Sequence, residues 1–280
     1  MSRRWLGVAA VAAAAGLAAT AFARPGDGEL STAVEPQRIE VRQCLSGALR
    51  LLLGNSGSRS VYAEATIAAD GPLQLSRTSL ATALPAGYTQ TVPIRVAVPA
   101  GAPAGEYRIR VVPRGRKRFD PVTVPVAVPD ARCVPRERMT ASATNAQLSP
   151  DYGPQNAIDG VDTTLWHTRY SPSRDPLPQS ITLALDGAHD VAELAYQPRL
   201  DGNLNGTITT YDIAVSGDGQ QFTTVASGSW APDATLKTAA LSAAGVRFVR
   251  LEARAGVANY ASAAEIVLFG EPARAAVTRP

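Results

Sequence analysis

The sequence predicts an all-β protein made of two β-sandwich domains, and three observations carry that prediction. The chain of 280 residues is long enough for two domains, each with its own core. Short alternating or β-branched runs recur between turns rich in Gly, Pro, Asn and Asp, and no stretch carries an extended helical period. A charged fraction of 18% with 23 Gly and 21 Pro also excludes a coiled coil and a charge-driven disordered chain.

In chain order, residues 1–23 carry Arg3 and Arg4, an apolar run from Trp5 to Phe22, and the small-x-small close Ala21-Phe22-Ala23. This is the pattern of a signal peptide, with an uncleaved membrane anchor as the alternative. The absence of a Cys at the cleavage point argues against a lipoprotein. Export predicts a secreted protein, extracellular or associated with the cell envelope. Removing the segment deletes two of the 27 basic residues and none of the 24 acidic ones, so the mature chain is nearly neutral. That leaves no electrostatic case for nucleic acid.

Residues 24–35 lack apolar periodicity and read as a flexible lead-in. The first sandwich is expected over 36–130, with strands at 38–42, 48–53, 61–68, 90–98, 106–112 and 121–128. Its stretch from Val98 to Tyr107, with Pro103-Ala104-Gly105 as the turn and Arg-Ile-Arg-Val-Val following, resembles immunoglobulin-like modules that accompany bacterial sugar hydrolases. The basic run Arg114-Gly115-Arg116-Lys117-Arg118 reads as a solvated hairpin tip. Cys44 and Cys133 bracket this domain; in an oxidising compartment two lone cysteines usually pair, the alternative being two buried thiols. With two His and two Cys in the whole chain, multi-His zinc, four-cysteine zinc and bis-His haem sites would exhaust or exceed the available ligands, which argues against most soft-metal chemistry.

Residues 131–137 read as a linker, 138–271 as the second domain and 272–280 as a tail. Strands are expected at 180–185, 191–197, 210–216, 221–226, 237–241, 246–253 and 263–269. His189 falls in the predicted turn Gly187-Ala188-His189-Asp190, Trp166 is assigned to the core, and Trp230 fits either packing or an exposed contact.

Four motifs stand in order here: Ile158-Asp159-Gly160 running on to Thr164, Trp166, His167 and Thr168; Pro198-Arg199-Leu200-Asp201-Gly202-Asn203-Leu204-Asn205-Gly206; Val225-Ala226-Ser227-Gly228-Ser229-Trp230; and Ala264-Glu265-Ile266. Together they resemble the galactose-binding-like jelly-roll sandwich of the coagulation-factor type C (discoidin) family. More narrowly they are similar to family 32 carbohydrate-binding modules, including the one that begins fungal galactose oxidases. The resemblance covers roughly 138–270.

The resemblance implies a structural Ca²⁺ or similar oxygen-bound cation. Asp159 and Glu265 would give carboxylates, Thr164 a hydroxyl, and Asn156, Val161 and Ala264 backbone carbonyls, a hard-oxygen set that suits Ca²⁺. Relatives often carry Asn or Asp where this chain has Val161, a change that a carbonyl ligand tolerates. The resemblance also implies a galactose site using His167, Arg199 and Asn205 as hydrogen-bonding groups, with Tyr170 and Tyr260 stacking on the sugar. Polar groups placed for an axial 4-hydroxyl are left unpaired by the equatorial epimer. Read without the family, Arg199 can simply pair with Asp201, and Asn205-Gly206 is a hairpin turn.

The predicted function is therefore a secreted, non-catalytic protein that binds galactose-containing glycans through its C-terminal module. GxSxG, HExxH and phosphate-loop patterns are absent from the sequence. The alternatives are a cell-surface adhesion protein with a protein or membrane ligand, or an accessory subunit of a separately encoded glycan-degrading enzyme. The polar character of the candidate loops argues against membrane contact, and the N-terminal domain is free to take a protein partner.

Overall fold

The computed structural model describes residues 30–114 and 120–273. The signal-peptide segment, residues 115–118 of the basic tip and the end of the tail lie outside them. Two β-sandwich domains follow one another. In the first, a four-stranded sheet runs in the order β1 (Leu30–Glu35), β3 (Ser46–Asn55), β7 (Thr89–Ala97) and β5 (Gln74–Leu75). It faces a five-stranded sheet ordered β2 (Ile39–Glu40), β9 (Val122–Val128), β8 (Gly105–Arg114), β4 (Val61–Ala69) and β6 (Ser79–Leu84). Alternation sets the packing: Leu49, Leu51 and Leu53 of β3 point inward with Ile94 and Val96 of β7, against Ala65 and Ile67, Ile109 and Val111, and Val124 and Val126.

The lead-in expected over 24–35 is corrected in its second half, because Leu30–Glu35 is a strand paired antiparallel with β3, Leu30 opposite Asn55 and Glu35 opposite Arg50. Only Val34 of this strand is buried, so backbone pairing to a sheet edge holds it and no apolar alternation marks it in the sequence. Strand β6, at the edge of the other sheet, is absent from the sequence reading for the same reason.

The second domain is organised by two long bent strands, β12 (Gln179–Gln197) and β15 (Lys237–Gly256), which pair along most of their length. The rest of the sheet is β10 (Met139–Ala143) on β12, and β13 (Ile208–Ser216) followed by β14 (Thr223–Ser229) beyond β15. The breaks expected at 186–190 and 242–245 do not end these strands. Register shifts between Ala184 and Glu193 let β12 bend, so that its first half pairs with β10 and its second with β17 (Glu265–Pro272). His189 is consequently a buried strand residue rather than part of a turn. The short strands β11 (Trp166–His167) and β16 (Ser262–Ala263) pair with each other at one end of the sandwich.

Trp166 lies in the core as expected, fully buried, as is Tyr196, whose hydroxyl donates to the Ser262 carbonyl at 2.9 Å and accepts the Ile208 N–H at 3.1 Å. Trp230 is a packing residue: it stacks on Tyr211 with ring centroids 3.8 Å apart, and its indole N–H donates to the Thr238 carbonyl at 3.1 Å.

Residues 131–137, expected as a linker, are docked on β17. Val134 N–H donates to the Leu268 carbonyl at 2.8 Å, Gly270 N–H donates to the Arg132 carbonyl at 2.9 Å, and Cys133 bridges to Phe269. Cys44 and Cys133 form a disulfide. Around it, Leu45, Cys133, Ala195, Val267 and Phe269 make a small apolar cluster joining both domains. Arg42 covers it, 3.6 Å above the Phe269 ring and 2.6 Å from the Glu193 carboxylate.

Candidate functional site

The antiparallel β11–β16 pair sets His167 opposite Ser262 and brings the loop after β11 beside the segment that leads into β16. Thr168 fastens this junction, since its N–H donates to the Ala261 carbonyl at 2.8 Å and its hydroxyl accepts the Ala261 N–H at 3.0 Å. His167 is buried, with Nδ1 2.6 Å from the Thr168 carbonyl. A ring nitrogen that donates to a carbonyl carries the proton, which leaves Nε2 as the acceptor of a neutral imidazole. Burial lowers the imidazole pKa below its ordinary value of 6.5, and nearby Arg199 pushes it the same way.

Arg199 is also buried, at 7% exposure, although it sits in a polar loop. Asp201 holds the guanidinium by a two-pronged contact, Nε to Oδ1 at 2.8 Å and Nη2 to Oδ2 at 2.5 Å. This hydrogen-bonded pairing raises the Arg199 pKa and lowers that of Asp201. Nη1 is left on the opposite edge, its contact to the Asn205 carbonyl being a long 3.5 Å.

The loop between Arg199 and Gly206 is wound by its own side chains. Asp201 accepts the Asn203 N–H at 3.2 Å and Asn203 accepts the Asn205 N–H at 2.9 Å, a series of Asx turns. Gly206, at φ +87°, closes the loop where a Cβ would stand 2.6 Å from the Ser262 hydroxyl, so only glycine brings Asn205 this close to β16.

Three tyrosines surround His167. Tyr170 meets it edge-on at 5.4 Å, Tyr260 at 5.3 Å with a 49° tilt, and Tyr152 at 6.1 Å. Gln147 fixes the Tyr170 loop by accepting the N–H groups of Tyr170 and Ser171 at 2.9 and 3.0 Å. Thus the structure gathers His167, Arg199, Tyr170 and Tyr260 at one end of the sandwich, with Asn205 contributing its main chain at Arg199 and an exposed side chain. Sequence reasoning missed Tyr152 and the holding roles of Gln147 and Thr168. The spacing of Asp201 two residues after Arg199 was the visible sign of the fork, whereas Tyr152 arrives through its bridge to Gln147, which no local pattern announces.

A second group of oxygens forms behind this end. Asp159 accepts the Val161 N–H at 2.7 Å, and the Thr164 hydroxyl lies 2.8 Å from the Asp159 carboxylate and 2.6 Å from the Val161 carbonyl. Among the described residues Glu265, 8% exposed, accepts only the Gly160 N–H, at 3.0 and 3.2 Å. Burial pushes its carboxyl up to about 8, with Asp159 adding to the rise and Arg136 and Arg95 opposing it. The Arg136 guanidinium donates to the Asp159 carbonyl at 2.7 Å, and Arg95 of the first domain pairs with Asp162. Asn156 turns its side-chain amide to the Asp151 carbonyl, and Ala264 is fully buried with its N–H on the Gln197 carbonyl. Among the described residues no three His, Cys, Asp or Glu side chains converge as a metal-ligand group.

Residues 138–266 match the F5/8 type C domain family. Among curated proteins, the chain is 36% identical over 138 residues to the A type blood N-acetyl-alpha-D-galactosamine deacetylase of Flavonifractor plautii, covering 49% of this chain and 18% of that protein. It is 33% identical over 162 residues to galactose oxidase of Gibberella zeae, covering 56% and 23%, and 29% identical over 184 residues to a sialidase of Micromonospora viridifaciens, covering 64% and 28%. The chain therefore spans less than a third of the length of these relatives. Among solved structures, it is 39% identical, with a TM-score of 0.47, to a Clostridium perfringens family 32 module in complex with GalNAc-β-1,3-galactose, over 49% of this chain and 99% of that one. A second Clostridium perfringens module, in complex with galactose, is 37% identical with a TM-score of 0.45, over 49% and 97%.

Proposed function

We propose that the F5/8 type C domain at residues 138–266 is a non-catalytic carbohydrate-binding module, and that the protein is secreted and recognises galactose-containing glycans. The observation that carries this reading is the convergence of a neutral His167 acceptor, an Arg199 donor edge held by Asp201, and tyrosine rings. A pyranose has an apolar C–H face for an aromatic ring and hydroxyls that both donate and accept. His167 Nε2 accepts from a sugar hydroxyl, Arg199 Nη1 donates to the same axial oxygen, and Tyr170 or Tyr260 covers the C–H face. The Asn205 side chain lies exposed at the rim as a further donor and acceptor. Two of the relatives that share the domain bear names built on galactose or its N-acetylamino form, which agrees with this ligand class.

Calorimetric titration tests the reading. Galactose and N-acetylgalactosamine are expected to bind, and glucose to bind at least about 10-fold more weakly, the cost of leaving buried polar groups unpaired. Affinity should be flat above pH 6.5 and fall below it, because His167 is neutral at and above its ordinary pKa and loses its acceptor lone pair only on protonation at lower pH. Equal binding of glucose and galactose, or none of either at tens of millimolar, overturns the proposal.

A Ca²⁺ ion belongs to the same proposal as a structural element. Asp159, Val161, Thr164 and Glu265 supply clustered oxygens, and the nine-tenths buried Glu265 carboxylate, with a single N–H partner among the described residues, is a group that a cation would satisfy. Asn156 and Ala264 carbonyls would complete the set. The ion supplies charge neutralisation and loop rigidity, not reaction chemistry. At calcium about 100-fold above its Kd the stabilisation is about 2.7 kcal/mol, which for a chain of this size is a rise in Tm on the order of 5–10 °C. Differential scanning calorimetry in EDTA and in calcium should show that rise, and Glu265→Gln should remove it; an unchanged Tm argues that the loop stands without an ion.

A further inference from the structure

A cavity of about 410 Å³ opens between the two domains, within the size range of small-ligand sites. One wall is the chain around Glu40 to Ser46 of the first domain; the other carries Arg136, Glu137, Leu200, Leu236 and Glu265. Both walls are fixed, by the Cys44–Cys133 disulfide, the Arg42–Glu193 pair and the Arg95–Asp162 pair.

The lining has a definite chemistry. Glu40 and Glu137 are exposed and make no ion pair among the described residues, and Glu265 faces the same space. Among the described residues the lining guanidinium of Arg42 is spent on Glu193 and the lining carboxylate of Asp162 on Arg95, so Arg136 stands against the exposed carboxylates of Glu40 and Glu137, with the buried Glu265 beside them. Carboxylates are acceptors only, and they form their strongest neutral-ligand contacts with hydroxyl donors. Leu200 and Leu236 are large apolar side chains left 49% and 39% exposed in this cleft, opposite apolar residues such as Val41 and Pro99 of the first domain. Hydroxyl donors on one side and an apolar C–H face on the other describe a sugar unit, and the excess of carboxylates excludes anionic ones. The cleft is joined to the first site through the chain itself, since Leu200 follows Arg199 directly.

We propose that this interdomain cleft is a second glycan subsite, specific for an uncharged sugar unit of a longer chain. The ligand class rests on the glycan-binding reading above, while the cleft uses none of His167, Arg199, Asn205 and the tyrosines; Glu265 alone is shared, with the proposed cation loop. Three probes test it by calorimetry and amide NMR: galactose, a β-linked galactotetraose, and the same tetraose sulfated. The tetraose is expected to bind the full chain on the order of 10-fold or more tighter than galactose, as linked subsites do. Glu137→Gln with Leu236→Ser, two exposed positions, should erase that gain and leave galactose binding unchanged. In a His167→Ala, Arg199→Ala chain the tetraose should still shift the Gly160 and Leu236 amides and the sulfated tetraose should not. Unmoved cleft amides in that chain overturn the proposal, as does an equal response to the sulfated probe. Shifted cleft amides in a protein that fails to bind galactose would instead remove the first site and keep the second.

Discussion

Arg199→Ala is expected to remove measurable galactose binding. A hydrogen bond to a charged donor is worth about 1.5–3 kcal/mol, or roughly 10- to 150-fold in Kd, against a total of only about 4 kcal/mol for a site of millimolar strength. The geometry concentrates this loss on one edge of the guanidinium. Asp201 occupies Nε and Nη2, so the group cannot rotate, and Nη1 keeps donor capacity because its carbonyl contact is long. Arg199→Lys is expected to fail nearly as fully, since an ammonium cannot hold the Asp201 fork and present a separate fixed donor. Asp201→Asn should fall between, with Arg199 still present but less firmly aimed. Tyr62→Ala, on an exposed face of the first domain, serves as the unaffected control. The readout is the calorimetric Kd beside an amide NMR fingerprint that reports folding. Wild-type affinity in Arg199→Ala would reduce the Arg199–Asp201 pair to a structural contact.

How much of this was legible in the sequence depended on how local the determining contact was. Period-2 runs such as Leu49, Leu51 and Leu53 announce a strand packed on a core, and they are strands here. Leu30–Glu35 and Ser79–Leu84 depend on pairing with a partner far along the chain, and nothing within six residues encodes that. The polar turn signals at 186–190 and 242–245 misled for a related reason. Gly245 N–H donates to the Asp190 carboxylate at 2.8 Å, so two segments that each look like a turn support one another as bends of paired strands. At the candidate site, His167, Arg199, Asn205, Tyr170 and Tyr260 were found through motif order, which records a three-dimensional arrangement that composition does not. The burial of Arg199 was not legible, because a guanidinium in an Asp-Gly-Asn loop reads as solvated until the fork to Asp201 is seen. The hold of Arg95 on Asp162 crosses domains, and no motif reaches that far.

Removing the disulfide should have the second large effect, and it should fall mainly on the first domain. Cys44 and Cys133 are 89 residues apart, and the loop they close contains strands β3 to β9, nearly all of the first sandwich. Closing a loop of this length stabilises by about 4 kcal/mol in the chain-entropy view. Cys44 also sits at φ +62°, a left-handed conformation that a non-glycine residue holds only under constraint. Cys44→Ser with Cys133→Ser therefore loses the cross-link and keeps the backbone cost, whereas Cys44→Gly with Cys133→Ser loses the cross-link and relieves it. The second pair should be the more stable by about 1 kcal/mol. The tryptophans separate the domains in this measurement: Trp166 and Trp230 both lie in the second, and no Trp lies in the first among the described residues. In urea, far-UV circular dichroism should show a transition moved to lower denaturant, with tryptophan fluorescence nearly unmoved. If both signals move together, the cluster of Leu45, Val267 and Phe269 under Arg42 couples the two sandwiches into one cooperative unit. In that case the cross-link stabilises the walls of the interdomain cleft as much as the first core, and the cleft variants must be compared in oxidised protein.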